Sequence, residues 1–322
     1  MKKLIALLSA LMLTASCSAC SEKEETPDMK IAVICKSTDP YWDAVKKAVE
    51  DAQSEMGVAV TYTAPEKEDY EKQISLINQA VSDGAQVIVL APVVMDEMND
   101  ALAEVIDKGI PVITIDSDVS LESRAAFIGT QNEAAGGVAG RHAKEIAKED
   151  SVIAVLTHGT MSQSAQQRTT GFINEFDITT DSVQLLAPVD CGGDTDKTKE
   201  TAIQMITENP DIDILYTTNQ PTTVGACQAV ESLIKDGKIS DGQVKIVGFD
   251  YFDGADTYLN NGILSGVIIQ NPYNMGYLGV MVASYLLKGQ EIPTSMMDTG
   301  TALVTTENLN NEDIQFMINP AG

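Results

Sequence analysis

The sequence is short of cations. Lysine and arginine total 21 against 47 aspartates and glutamates, a formal charge of −26, and only Arg124, Arg141 and Arg168 are arginines. Such a chain repels phosphate backbones and anionic membranes, so nucleic acid is not an expected partner. Histidine is scarcer still: His142 and His158 are the only two, too few for a His-rich metal centre. The chain also lacks a Gly-x-Ser-x-Gly elbow, a Walker A loop, a Gly-x-Gly-x-x-Gly turn after a strand and a His-Glu-x-x-His helix. These absences argue against an enzyme, and no cofactor or metal is expected. Asp194-Thr-Asp196 has the start of a calcium loop but not its ligand ladder, and reads better as a helix N-cap.

Cysteine is scarce and unevenly placed. Cys35, Cys191 and Cys227 are widely spaced and odd in number, which is no disulfide framework. Buried free thiols are the default, and the spacing leaves a single bridge open. The other two, Cys17 and Cys20, close an N-terminal segment of a different kind. Met1-Lys2-Lys3 precedes an apolar run from Leu4 to Ala15, about 12 residues, too short to span a bilayer but built like a secretory signal. Small residues before a cysteine at this point resemble the bacterial lipobox. That resemblance implies lipidation of Cys17, with Cys20 as the alternative, and an exported protein held to the outer face of the cytoplasmic membrane by lipid alone. Residues 18–28 read as a charged flexible tether.

What is present from Met29 onward is a regular beat. Ile31 to Ile34 reads as a strand, followed by apolar residues at helical spacing from Trp42 to Met56. Val58 to Tyr62, Gln86 to Ala91 and Ile110 to Ile115 continue the strands, and Gly109 closes the third helix. After a short strand at Ala126 to Ile128 the same alternation runs again through Ser151 to Leu156, Val183 to Ala187, Ile212 to Tyr216, Val244 to Phe249 and Leu264 to Ile269. A long helix, Asn274 to Leu287, follows. The pattern predicts an α/β protein of two doubly wound parallel-sheet lobes.

In such sheets ligands sit at the carboxyl ends of the strands. The loop after the first strand carries Lys36, Ser37, Thr38 and Asp39 beside an adjacent Tyr41-Trp42 pair. Flat aromatic faces surrounded by hydrogen-bonding groups suit a small, hydroxyl-rich ligand. Later loops carry Asp116-Ser117-Asp118, Thr157-His158-Gly159-Thr160 with Arg168 beyond, Thr217-Thr218-Asn219-Gln220, Asp250-Tyr251-Phe252 and Gln270-Asn271. Carboxylates, carboxamides and one guanidinium offer hydrogen bonds of fixed direction. Each residue also has an ordinary explanation: Trp42 packs inward, an aspartate caps a helix, Asn219 makes a turn. Their convergence on one chemistry carries the argument.

These segments resemble the type I periplasmic sugar-binding proteins of ABC importers, the ribose-binding-like group, from about Met29 to the C-terminus. The resemblance rests on Lys36-Ser-Thr-Asp-Pro-Tyr-Trp42, Gly109-Ile-Pro-Val-Ile-Thr-Ile-Asp116, Ile128-Gly129 before Asn132, Arg168-Thr-Thr-Gly-Phe172, Val247-Gly-Phe-Asp250 and Gln270-Asn-Pro-Tyr-Asn-Met-Gly-Tyr277. It implies two lobes joined by three crossings, near Gln131, Gln270-Asn271 and Asp298-Thr299. One lobe would hold residues 29–130 plus 271–298, and the other 131–270 plus 299–322. It implies a monosaccharide or related polyol between them, stacked on Tyr41 and Trp42 and hydrogen-bonded by Asp39, Asp116, Arg168, Asn219, Asp250 and Gln270. It further implies a monomer that delivers this ligand to an ABC permease.

The same fold also serves sensing, so a chemoreceptor or sensor-kinase partner, or a furanose-like signalling ligand, is the alternative reading. Three departures from the ribose pattern stand out. Ser117 replaces an arginine, Gln220 stands where an aspartate is usual, and Cys191-Gly192-Gly193 replaces an aromatic, a stacking wall either missing or supplied by Tyr251 or Phe252.

Overall fold

A computed structural model describes residues 29–38, 41–160, 162–177, 182–292 and 294–320. Asp39, Cys17 and Cys20 lie outside the described residues. In chain order the elements begin β1 (Lys30–Ile34), α1 (Tyr41–Met56), β2 (Ala59–Thr63), α2 (Tyr70–Ser82), β3 (Val87–Leu90), α3 (Asn99–Asp107), β4 (Val112–Ile115) and β5 (Ala126–Gly129). They continue with α4 (Asn132–Ile146), β6 (Val152–Thr157), α5 (Gln163–Asn174), β7 (Gln184–Leu185), β8 (Val189–Asp190), α6 (Thr195–Glu208), β9 (Ile212–Thr217), α7 (Gln220–Lys235), β10 (Lys245–Phe249), α8 (Ala255–Asn260) and β11 (Leu264–Gln270). The chain closes with α9 (Pro272–Leu287), β12 (Met296–Asp298), β13 (Thr301–Val304) and α10 (Glu312–Ile318).

The strands form two sheets, ordered β12-β5-β4-β3-β1-β2 and β13-β11-β10-β9-β6-β7, with β8 also on β6. β3, β4 and β6 are buried at every position because helices cover both faces of each sheet. In the first lobe, α1 and α9 pack together over one face, where Trp42, Val45 and Val49 meet Met275, Val280 and Val282. The opposite face buries Ile77, Leu102 and Val105 from α2 and α3. In the second lobe, α4 and α5 cover one face, while α6, α7 and α8 cover the other.

The chain passes between the sheets after β5, after β11, and between β12 and β13. The first and third passages are tied to each other. The Thr299 amide donates to the Gly129 carbonyl at 3.0 Å, and the Gln131 amide to Asp298 Oδ1 at 3.3 Å.

Gly109, with φ +82°, ends α3 as the sequence implies. The strand expected over Val183 to Ala187 is shorter, Gln184–Leu185, with β8 separate from it. β12, β13 and α10 are not signalled by the sequence pattern, and β13 runs antiparallel to β11, so the second sheet is not wholly parallel. Cys35, Cys191 and Cys227 are buried free thiols, which closes the question of a bridge among them. Asp194 caps α6, its side chain accepting from the Lys197 amide. No helix among the described residues is long and apolar enough to cross a membrane.

Candidate functional site

Two clusters of polar side chains face each other where the strands of the two sheets end. In the first lobe, Lys36 follows β1 and Asp116 follows β4. Lys36 Nζ donates to Asp116 Oδ2 at 2.7 Å and to Ser117 Oγ at 2.6 Å. Tyr41 Oη donates to Asp116 Oδ1 at 3.0 Å. Burial alone would push the Asp116 carboxyl up. The Lys36 ammonium and the bonds from Lys36, Tyr41 and Ser117 overcome that and hold it below the usual carboxylate range.

Tyr41 and Trp42 meet edge to face, with centroids 5.1 Å apart. Trp42 is only 5% exposed and packs into the first-lobe core, so the inward packing weighed from sequence is realised. Lys36 Nζ lies 6.0 Å from the indole centroid, at the outer limit of a cation–π contact.

The second cluster is built around Asp250, which follows β10. Gln270 Nε2 donates to Asp250 Oδ1 at 2.7 Å, and Arg168 Nη1 stands 3.9 Å from Oδ2. Burial raises the Asp250 carboxyl, and the nearby Arg168 charge and the Gln270 bond only partly offset it. Asp116 and Asp250 both adopt φ 64°, a left-handed conformation uncommon outside glycine and most tolerated by aspartate and asparagine. Each donates its amide to the neighbouring strand, to Ile128 and Ile268 respectively. The two carboxylates therefore occupy corresponding places in the two lobes.

Arg168 is buried on α5. It donates through Nε to Asn132 Oδ1 at 2.8 Å and through Nη1 to the Thr218 carbonyl at 2.9 Å, with its guanidinium 3.7 Å from the Phe249 ring centroid. Its helix is seated against α4 through glycines. A Cβ on Gly171 would come 1.9 Å from the Glu133 carbonyl oxygen, and one on Gly136 would come 2.1 Å from that of Arg168. Close backbone approach of this kind is what glycine permits.

Asn219 caps α7, its Oδ1 accepting from the Thr222 amide at 3.1 Å. The turn weighed from sequence is thus a helix cap. The cap fixes the side chain's oxygen and leaves its Nδ2 beside Gly193. Cys191, Gly192 and Gly193 follow β8; Cys191 is buried, and its Sγ lies 3.8 Å from the Val189 carbonyl. Phe252 is buried in the second-lobe core, 6.0 Å from the Tyr258 centroid, and Tyr251 packs against the same core. Phe252 is therefore packed as core, as Trp42 is.

Electrostatics shows that the two clusters lie within reach of each other. Burial first, and then the Asp116 and Asp250 charges from opposite lobes, push the Tyr41 phenol well up. Burial, Arg168 and Lys36 lower His158 to about 3, so it stands neutral at physiological pH. Its Nδ1 lies 2.7 Å from Thr218 Oγ1, and its Nε2 lies 3.1 Å from Ser162 Oγ.

The structure thus brings Lys36, Tyr41, Asp116, Arg168, Asn219, Asp250 and Gln270 to the facing strand ends. Sequence reasoning assigned no role to Thr130 or Asn132, and named His158 and Thr218 only as members of loops expected at the cleft. Their positions at strand ends or helix starts were the available signal.

Balanced charge and directed hydrogen bonding between two hinged lobes define a binding protein. Residues 31–291 match the periplasmic binding protein domain, and the chain belongs to that family. It is 25% identical over 294 residues to the ribose import binding protein of Haemophilus influenzae, covering 91% of this chain and 96% of the relative. It is likewise 25% identical over 283 residues to the D-allose-binding periplasmic protein of Escherichia coli, covering 85% and 86%. Among solved structures, a carbohydrate transporter solute binding protein from Agrobacterium radiobacter, in complex with D-arabinose, superimposes with a TM-score of 0.79. That pair is 27% identical and covers 91% of this chain and 100% of the other.

Proposed function

We propose that the protein captures a neutral monosaccharide between its lobes by hinge closure and delivers it to the permease of an ABC importer. One observation carries this reading. Each lobe contributes one cation and one carboxylate, Lys36 with Asp116 and Arg168 with Asp250, so the paired charges balance before any ligand arrives. A neutral polyol leaves that balance intact while using the spare donors and acceptors. Carboxylates accept from sugar hydroxyls, Arg168 and Lys36 donate, and the Asn219 Nδ2 group donates from the α7 cap. Asp39, two positions before α1 in the sequence, completes the proposed set.

The ligand bridges both lobes, and this differential contact shifts the population towards the closed form. Micromolar affinity corresponds to about 8 kcal/mol, within reach of several buried polar contacts and the Tyr41 face. The relatives' import roles favour delivery over sensing. This reading gives the side chains a binding task and no reaction to catalyse, and the protein acts as a monomer. Its lobes comprise residues 29–130 with 271–298, and 131–270 with 299–322. Lipidation at Cys17 would hold it at the outer face of the cytoplasmic membrane. A Cys17→Ser chain that still takes up labelled palmitate would move the anchor to Cys20.

A thermal-shift screen against D-ribose, D-allose, D-arabinose, D-fucose and D-fructose tests the main reading. A sugar at about 100 times its Kd stabilises the native state by about 2.7 kcal/mol. One or two sugars should raise the melting point clearly. No shift from any monosaccharide, with a shift from a charged ligand, overturns the reading.

A further inference from the structure

We propose that Thr130 is a positioning residue: its hydroxyl anchors the Gln270 carboxamide oxygen and so holds the N–H group of Gln270 against Asp250, whose carboxylate sets which end of the amide faces it. The inference rests on the reading that Asp250 and Gln270 hold the ligand.

Thr130 is 2% exposed and directly follows β5, at the first passage between the lobes. Gln270 is 7% exposed and ends β11, at the second. Thr130 Oγ1 lies 2.8 Å from Gln270 Oε1, so the hydroxyl donates and the amide oxygen accepts. Gln270 Nε2 in turn donates to Asp250 Oδ1 at 2.7 Å. Rotating the amide by half a turn would keep a bond to Thr130, because a hydroxyl also accepts. It would also set the amide oxygen against a carboxylate oxygen, two acceptors with no proton between them.

The arrangement has one satisfied solution, and it needs both ends. With the Thr130 donor removed, Gln270 Oε1 becomes a buried acceptor without a partner, a penalised state. The amide then has reason to turn away, and Asp250 loses its short hydrogen bond. The pair also links the passages. A group on the first crossing segment sets a ligand-binding side chain on the second, which in turn orients the carboxylate beside Arg168.

The test uses Thr130→Val, which keeps the shape and removes the donor, and Thr130→Ser, which restores it. The first readout needs no ligand. Carbon-13 NMR follows titration of the Asp250 carboxyl, assigned with Asp250→Asn. Loss of the Gln270 donor should move that titration to higher pH in Thr130→Val, and Thr130→Ser should return it to the wild-type position. Arg168, Asp116 and the Gln220 backbone, the other groups that act on Asp250, are unchanged in both variants, as are Tyr41 and Tyr216, whose phenols feel its charge. The second readout is calorimetry with D-ribose, D-allose, D-arabinose and D-fructose. For any sugar that the wild type binds, Thr130→Val should raise Kd about tenfold and Thr130→Ser by less than about twofold.

Wild-type titration and affinity in Thr130→Val overturn the proposal. Should that variant not fold, exchange of the Gln270 side-chain amide protons in the unmodified protein decides: slow exchange supports the bond, and exchange as fast as a surface glutamine overturns it. A wild type that binds none of the sugars counts against the proposed function, and the Asp250 titration still decides this inference.

Discussion

Asp250→Asn separates binding from folding more cleanly than any other single change in the cleft. Asparagine tolerates the left-handed backbone at φ 64°, whereas alanine there would add about 1 kcal/mol of strain. The carboxamide oxygen of the variant would still accept from Gln270, leaving an NH2 group where Oδ2 stood. At 3.9 Å from Arg168, Oδ2 is too far for a direct hydrogen bond, and the proposed function gives it to a sugar hydroxyl. Hydrogen bonds to a charged group are worth about 1.5–3 kcal/mol each. Losing one or two of them in a closed cleft amounts to about 3 kcal/mol, close to a hundredfold in Kd.

Stability should move the other way. Burial raises the folded-state pKa of Asp250 above its unfolded value. Its contribution to stability is present in full below the unfolded carboxylate range and is lost as pH rises through the folded value. Once ionised, the group is therefore a cost that asparagine lacks. Arg168 keeps its bonds to Asn132 and the Thr218 carbonyl. Calorimetric titration with the sugar found in the screen, beside scanning calorimetry of the ligand-free protein, measures both effects. An affinity within about threefold of wild type would refute the placement of Asp250 against the ligand.

Other perturbations test neighbouring parts. Lys36→Met leaves burial of Asp116 unopposed by the ammonium. In the wild type the lowered carboxyl contributes stability above the unfolded value, lost as pH falls through the folded value. The variant should therefore unfold at higher pH in an acid titration followed by circular dichroism, and an unmoved acid limb would show that the ion pair does not hold the carboxyl down. His158, lowered to about 3, should show no ring titration by NMR between pH 5 and 8. Its contribution to stability is present above about 6.5 and lost as pH falls towards 3. Trp42→Ala should cost about 3 kcal/mol or more in urea unfolding because the indole is core, and a loss below about 1 kcal/mol would place it elsewhere. Cys35, whose thiol burial pushes up to about 12, should resist iodoacetamide in the native protein and react once unfolded.

The fold was legible because its central strands are unambiguous. Val87-Ile-Val-Leu90 and Val112-Ile-Thr-Ile115 are apolar on both faces, and the helices between them keep their spacing. Strands of two to four residues such as β7, β8, β12 and β13 carry no such period, and their pairing is decided by the rest of the sheet. Much of the candidate site was legible for a different reason: loops after strands converge. What the sequence could not show is which side chains meet. Lys36 reaches Asp116 across 80 positions of chain, and the left-handed backbone of Asp116 and Asp250 follows from tertiary context, not composition. Thr130 looks like an ordinary loop residue until its partner arrives. Trp42 could be read as wall or as core, and one sequence does not choose between them.

The passages between the lobes set an order on synthesis as well as a hinge. When β5 has been made, the first sheet still lacks β12, and the face carrying Trp42, Val45 and Val49 still lacks α9. All the strands of the second sheet but β13 are made before that missing helix appears. An apolar surface of the first lobe thus waits uncovered through more than a hundred residues of chain growth. Long-range closure of this kind slows folding and exposes intermediates to aggregation. Neither lobe can mature alone as the chain emerges, so the two should become native together, late, and only once the C-terminal segment is free.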